Sequence, residues 1–150
     1  MHVRIFDFDV ELDESAIDAP LETIHTQIGE YERGERVAFD LDIEIPETFT
    51  GRVMRCMLDI PHGETRTYGE VAEKLDSSPI AVGQACGRNP IPLVVPCHRI
   101  VGADSLGGFS ASGGVTLKRE LLTLEGAERT TDAGQLTLTD VVNTESAQPQ

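Results

Sequence analysis

The chain has 150 residues, 39% of them hydrophobic. That length supports a core without disulfide staples, and no apolar run approaches the roughly 18–20 residues of a membrane span. Its 26 acids against 12 bases give a net charge of −14, unevenly placed: 14 acids and 3 bases in residues 1–50, 8 and 8 in 51–126, 4 and 1 in 127–150. The pattern reads either as a halophilic chain, acid-coated except where it meets a polyanion, or as an acidic protein with an accidental fluctuation. Three scattered cysteines, Cys56, Cys86 and Cys97, exclude a disulfide framework and predict a reduced, cytoplasmic setting. Arg4, Asp7, Asp9, Glu11 and Asp13 interrupt the first residues, so no signal peptide is expected.

In chain order, His2 to Val10 reads as one strand. Leu21, Ile24, Ile28 and Tyr31 form a helical stripe after Pro20. Val37, Phe39, Leu41, Ile43 and Ile45 then alternate with polar residues, the pattern of a half-buried strand closed by Pro46. Residues 1–47 are thus expected to form a small α+β domain.

From residue 48 to 126 short helices dominate. Thr48 or Thr50 can cap a helix carrying Val53, Met54, Met57 and Leu58 inward. Tyr68 to Leu75 is a second helix, with Val71, Ala72 and Leu75 inward. After the turn Asp76-Ser77-Ser78, Pro79 suits the first position of a third helix over 79–87, capped by Ser78. That helix is expected to expose the small residues Ala81, Gly83 and Ala85. Two short helices joined by a tight turn make a helix-turn-helix pattern, which many all-α cores also contain. Ile91 to Pro96 is extended and apolar, then come Cys97, His98, Arg99, Ile100 and Val101 and a Gly-rich loop. Leu117, Leu121, Leu122 and Leu124 build a last helix ending at Glu125-Gly126. Residues 127–150 are polar and Thr-rich, a composition expected to be largely disordered.

Cys97 invites two readings. Flanked by Pro96 and His98 and followed by a Gly-rich loop, it can be a nucleophile whose thiolate fraction is raised by its neighbours. A lone cysteine is also commonly an inert buried hydrophobe. A zinc site fails on spacing, because no Cys-x2-Cys or His-x3-His pair is present. A papain-like hydrolase finds no signature around His2, His25 or His62.

The heptapeptide Pro96-Cys-His-Arg-Ile-Val-Gly102 resembles the active-site signature of the O6-alkylguanine-DNA alkyltransferases, the methylated-DNA–protein-cysteine methyltransferases. Ile60-Pro-His-Gly-Glu-Thr-Arg-Thr-Tyr-Gly-Glu-Val-Ala72 is similar to the family's entry into its helix-turn-helix, and Gly87-Arg-Asn-Pro90 to its hinge. Gly107-Gly-Phe-Ser110, Gly113-Gly-Val-Thr-Leu-Lys118 and Leu121-Leu-Thr-Leu-Glu-Gly126 resemble its closing loop and last helix. Gln27 to Arg36 with Phe39-Asp-Leu41 is similar to its N-terminal domain. The resemblance covers roughly residues 20–126. It implies an α+β fold: a small N-terminal element, then a mainly helical, winged-helix-like DNA-binding and catalytic domain.

The resemblance implies direct-reversal DNA repair by a suicide enzyme. Cys97 takes the alkyl group from O6-alkylguanine and keeps it as a thioether, so each molecule acts once. His98 removes the thiol proton through a water, Glu125 orients His98 and favours its protonated form, and Asn89 ties the hinge to an active-site strand. Tyr68 meets a backbone phosphate and the extruded guanine. The carbonyls of Cys97 and Ile100, together with Ser110, frame the base, which must be flipped from the stack. The helix bearing Ile80, Ala81, Gly83 and Gln84, with Arg88 and Arg99 nearby, is implied to contact double-stranded DNA in the minor groove. No cofactor, metal or membrane is implied, and a monomer is expected.

Two positions depart from the family's pattern. Where it places an intercalating Arg, this chain has Ile80, read as an apolar wedge. The closing loop is lengthened at Ser110-Ala111-Ser112, leaving open which serine faces the base, and Phe109 replaces a common Tyr. Two other classes stay open: a non-catalytic lesion-binding relative, against which Cys97 speaks, and a helix-turn-helix module for which the motif is coincidence.

Overall fold

In the computed structural model, which describes residues 1–107 and 114–127, the chain opens with a hairpin rather than the single strand expected for His2–Val10. Strands β1 (His2–Ile5) and β2 (Phe8–Glu11) pair antiparallel, with Ile5 opposite Phe8. Phe6 and Asp7 form the turn at φ 49° and 69°, the primed-turn conformation that sequence statistics reserve for Gly and Asn. The Glu32 carboxylate accepts from the Phe6 N–H at 2.9 Å and holds that turn.

After β3 (Ile17–Asp18), helix α1 (Leu21–Glu32) buries Ile24, Gln27, Ile28 and Tyr31, while Leu21 stays half exposed. Gln27 explains why the alternating run 37–45 forms so little strand. Its Nε2 donates to the Asp40 carbonyl at 3.1 Å and its Oε1 accepts from the Asp40 N–H at 2.9 Å, which is what a neighbouring strand would have done. Only β4 (Asp42–Ile43) is regular, paired antiparallel with β3, and Val37 lies exposed.

Helix α2 (Phe49–Leu58) is capped by Thr48, whose Oγ1 accepts from the Gly51 N–H at 3.2 Å. A Cβ on Gly51 would fall 1.8 Å from the Pro46 carbonyl oxygen, so glycine lets the preceding segment fold down on the helix. Val53, Met54 and Met57 are buried as expected, but Leu58 is exposed and Cys56 takes the inward position.

Next come β5 (Arg66–Thr67) and helix α3 (Tyr68–Lys74), which opens on a capping box between Thr67 and Glu70. Asp76 at φ 55° turns the chain into α4 (Pro79–Gly87), capped by Ser78. Val82 and Ala85 sit three residues apart on the inner face and are fully buried, so Ala85 is not the surface residue expected. Its small side chain serves close helix packing instead. The outer face shows Ile80, Gln84 and Arg88, with Ala81 and Gly83 half-buried.

Residues 91–100 are all buried, yet they are not a strand. Pro92 and Pro96 carry no N–H for a ladder, Leu93 turns at φ 79°, and one bridge joins Pro92 to Val95. Cys97–Arg99 is a single 3-10 turn leading into β6 (Ile100–Val101), which pairs parallel with β5. Helix α5 (Gly114–Leu124) buries Leu117, Lys118, Leu121 and Leu122. One contiguous core joins the hairpin, α1, α2, α4, the buried turn and α5. Among the described residues no helix is long and apolar enough to cross a membrane. Phe109, Ser110, Ser112 and the tail expected to be disordered lie outside the described residues.

Candidate active site

Cys97 begins the 3-10 turn and is 5% exposed. Asn89 clamps the buried loop ahead of it: Nδ2 donates to the Val95 carbonyl at 2.9 Å and Oδ1 accepts from the Ile91 N–H at 3.1 Å. Burial pushes the Cys97 thiol up, against the pull of the Asn89 side chain and the Lys118 charge, so the resting thiol keeps its proton. Attack by this sulfur therefore needs a base.

His98 is fully buried, with Nε2 2.8 Å from Glu125 Oε2. Its Nδ1 is buried and has no hydrogen-bond partner among the described residues. Glu125 follows the last turn of α5 and receives three further bonds. The Tyr31 hydroxyl donates to Oε2 at 2.6 Å, Arg99 Nε to Oε1 at 2.9 Å and Arg99 Nη2 to Oε2 at 2.9 Å. Burial alone would raise the Glu125 carboxyl, but the bonds from His98, Arg99 and Tyr31 outweigh it and hold the group far below the usual carboxylate range. A carboxylate here fixes the proton of His98 on Nε2 and leaves the Nδ1 lone pair as acceptor.

Glu125 pulls His98 toward its protonated form, by its hydrogen bond and by its charge, but burial outweighs that pull. Burial pushes the imidazole down, and the Arg99 and Lys118 charges add to that against the pull of Glu125. His98 is thus a neutral imidazole whose Nδ1 is able to accept a proton.

Arg99 is not at a DNA face. It is 8% exposed, its third nitrogen donates to the Ile60 carbonyl at 2.7 Å, and the guanidinium is turned inward by the buried carboxylate. Lys118 is also fully buried, with Nζ donating to the Ile100 carbonyl at 2.7 Å and lying 5.7 Å from the centre of the Tyr68 ring. The Ile100 carbonyl therefore already holds one strong donor. Tyr68 stands half-buried at the start of α3; at Gly107, φ 75°, a Cβ would approach its ring to 2.7 Å. Ile80, Gln84 and Arg88 share the outer face of α4, and Ile80 is 75% exposed.

The two remaining cysteines are also held protonated. Burial and the neighbouring Cys97 push the Cys86 thiol up to about 12, and burial raises Cys56 as well. Tyr31 and Lys118 were missing from the residues expected at the site. Lys118 carried a legible signal, since it interrupts the apolar stripe of Leu117, Leu121 and Leu122. Tyr31 carried none beyond its place on the buried face of α1.

Residues 48–127 match the model of the 6-O-methylguanine DNA methyltransferase DNA-binding domain. The chain is 43% identical over 105 residues to the methylated-DNA–protein-cysteine methyltransferase of Archaeoglobus fulgidus, covering 67% of this chain and 71% of that protein. The Mycobacterium tuberculosis protein of the same name is 43% identical over 118 residues, covering 76% and 68%. A crystal structure of Mycobacterium tuberculosis OGT in complex with DNA matches at a TM-score of 0.65 and 42% identity, covering 70% of this chain and 66% of that one. The chain thus spans about two thirds of the length of these relatives.

Proposed function

The chain belongs to the 6-O-methylguanine DNA methyltransferase family, and on that footing we propose that it repairs O6-alkylguanine in DNA by moving the alkyl group irreversibly onto its own Cys97. The observation that carries the proposal is the buried contact of His98 Nε2 with the Glu125 carboxylate at 2.8 Å, which supports a proton on Nε2 and leaves Nδ1, on the residue that follows the buried Cys97, as the proton acceptor. His98 takes the thiol proton through a bridging water. The sulfur then bonds to the methyl carbon as the bond from carbon to O6 breaks, and the guanine released in the strand ends with the proton. A thioether is stable in water at neutral pH, so one molecule repairs one lesion.

The DNA-facing surface proposed is the outer side of α4. Ile80 stands furthest out and wedges into the stack where the lesion base has left it, a role apolar side chains can fill. Ala81 and Gly83 permit close approach to the minor groove, and Gln84 and Arg88 contact the backbone. Tyr68, held between Lys118 and Gly107, meets the flipped base. The protein acts as a monomer in the cytoplasm, with residues 48–126 as the working domain.

The test is intact-protein mass after incubation with a duplex bearing one O6-methylguanine, in low and in molar salt. The expected result is a gain of one methyl per molecule, saturating there, and none in Cys97→Ala. Binding to the duplex without any mass change in either salt would refute transfer and leave a lesion-binding protein.

A further inference from the structure

We propose that Tyr31 is a positioning residue of this reaction, donating its hydroxyl to the Glu125 oxygen that holds His98 and so setting how readily that imidazole gives up a proton. The proposal rests on the alkyl-transfer reading above. It places one part of the proton relay outside residues 48–127, the span that matches the family's DNA-binding domain.

The geometry carries it. The Tyr31 hydroxyl lies 2.6 Å from Glu125 Oε2, across 94 residues of sequence, and the residue is 1% exposed. Oε2 also receives His98 Nε2 at 2.8 Å and Arg99 Nη2 at 2.9 Å, while Oε1 receives Arg99 Nε alone among these donors. Three donors converge on one oxygen, so each lowers its basicity toward the other two. The ring is fixed by Phe39, centroids 5.4 Å apart, and by the edge of His62 at 6.5 Å. Burial and then the Glu125 charge push the Tyr31 phenol upward, so it remains a donor at any working pH.

The consequence has a definite sign. Remove the hydroxyl, and Glu125 Oε2 keeps more negative charge for His98, which favours imidazolium. The other charged and titratable groups facing the pair are Arg99, against both Glu125 and His98, and Lys118 near His98, whose neighbour in the chain is Cys97; His62 meets the tyrosine ring edge-on. None of these changes in Tyr31→Phe. His98 then loses its base form at a higher pH than in the wild type.

The experiment measures single-turnover methyl transfer from an O6-methylguanine duplex between pH 5 and 9 for wild type and Tyr31→Phe, together with the NMR titration of the His98 ring in both. The expected result is an upward move of about one pH unit in both the acid limb and the ring titration. Transfer should be about tenfold slower below the limb and equal above it. A ring titration that does not move, or a rate loss uniform across pH, would overturn the proposal. If the wild type transfers no methyl, the reading of the reaction fails, and the ring titration still decides the role of Tyr31. Should Tyr31→Phe not fold, the wild-type Tyr31 hydroxyl proton decides instead: it should exchange slowly with water and lie close to the His98 ring, and rapid exchange would overturn the assignment.

Discussion

Replacing Arg99 by Met keeps most of the stem's volume and removes the guanidinium. In the structure that deletes two bonds to Glu125, at 2.9 Å each, and one to the Ile60 carbonyl at 2.7 Å. What is left is a carboxylate, 5% exposed, whose charge no cation now balances. Breaking one side of a buried ion pair costs about 3–5 kcal/mol. At about 2–4 °C per kcal/mol for a chain of this size, the melting temperature should fall by about 6–20 °C. Urea unfolding followed by circular dichroism measures the free energy directly. The double variant Arg99→Met with Glu125→Met should lose less than the sum of the two single losses, because the stranded charge is gone. A loss below about 1 kcal/mol, the range of an exposed pair, combined with weaker DNA binding, would refute the inward assignment and restore Arg99 to the DNA face.

Two further outcomes follow from the site. His98 has its folded pKa pushed below 6.5 by burial, so its contribution to stability is present above pH 6.5 and is lost as pH falls through the folded value. The stability difference between wild type and His98→Gln should therefore decline below pH 6.5, by at most about 1.4 kcal/mol per pH unit, and a pH-independent difference would show that His98 is not buried neutral. Ile80→Gly should slow repair of duplex several-fold more than repair of the same lesion in single-stranded DNA, as measured by methyl transfer; equal slowing would remove the wedge.

Legibility in the sequence divided along physical lines. Helices with local signals were readable: the Ser78-Pro79 start of α4 falls where its residues predict, and α3 begins at Tyr68 as its pattern does. The alternating run 37–45 misled because alternation reports only which faces are apolar. Whether a strand forms depends on a partner, and Gln27 occupies that place with a side chain. The hairpin turn was hidden because Phe6 and Asp7 adopt a conformation their identities disfavour, secured by Glu32 from a distant helix. At the candidate site the motifs grouped Cys97, His98, Asn89 and Glu125, and the fold brings Glu125 to His98 and Asn89 to the loop ahead of Cys97. Arg99 was misread for the opposite reason, since adjacency to Cys97 says nothing of the carboxylate waiting across the fold. Tyr31 joins from 94 residues away, a contact that local pattern cannot encode.

That long contact also bears on how the molecule is made. Glu125 is among the last residues of the described fold to be synthesised, and His98, Arg99 and Tyr31 all precede it. Until α5 emerges from the ribosome, the arginine has no counter-charge and the imidazole has no group to fix its tautomer. Closing so wide a loop is slow compared with forming the local helices. His98 therefore gains its carboxylate only when the chain is complete to residue 125, and nascent or truncated chains carry Cys97 and His98 without that buried pair.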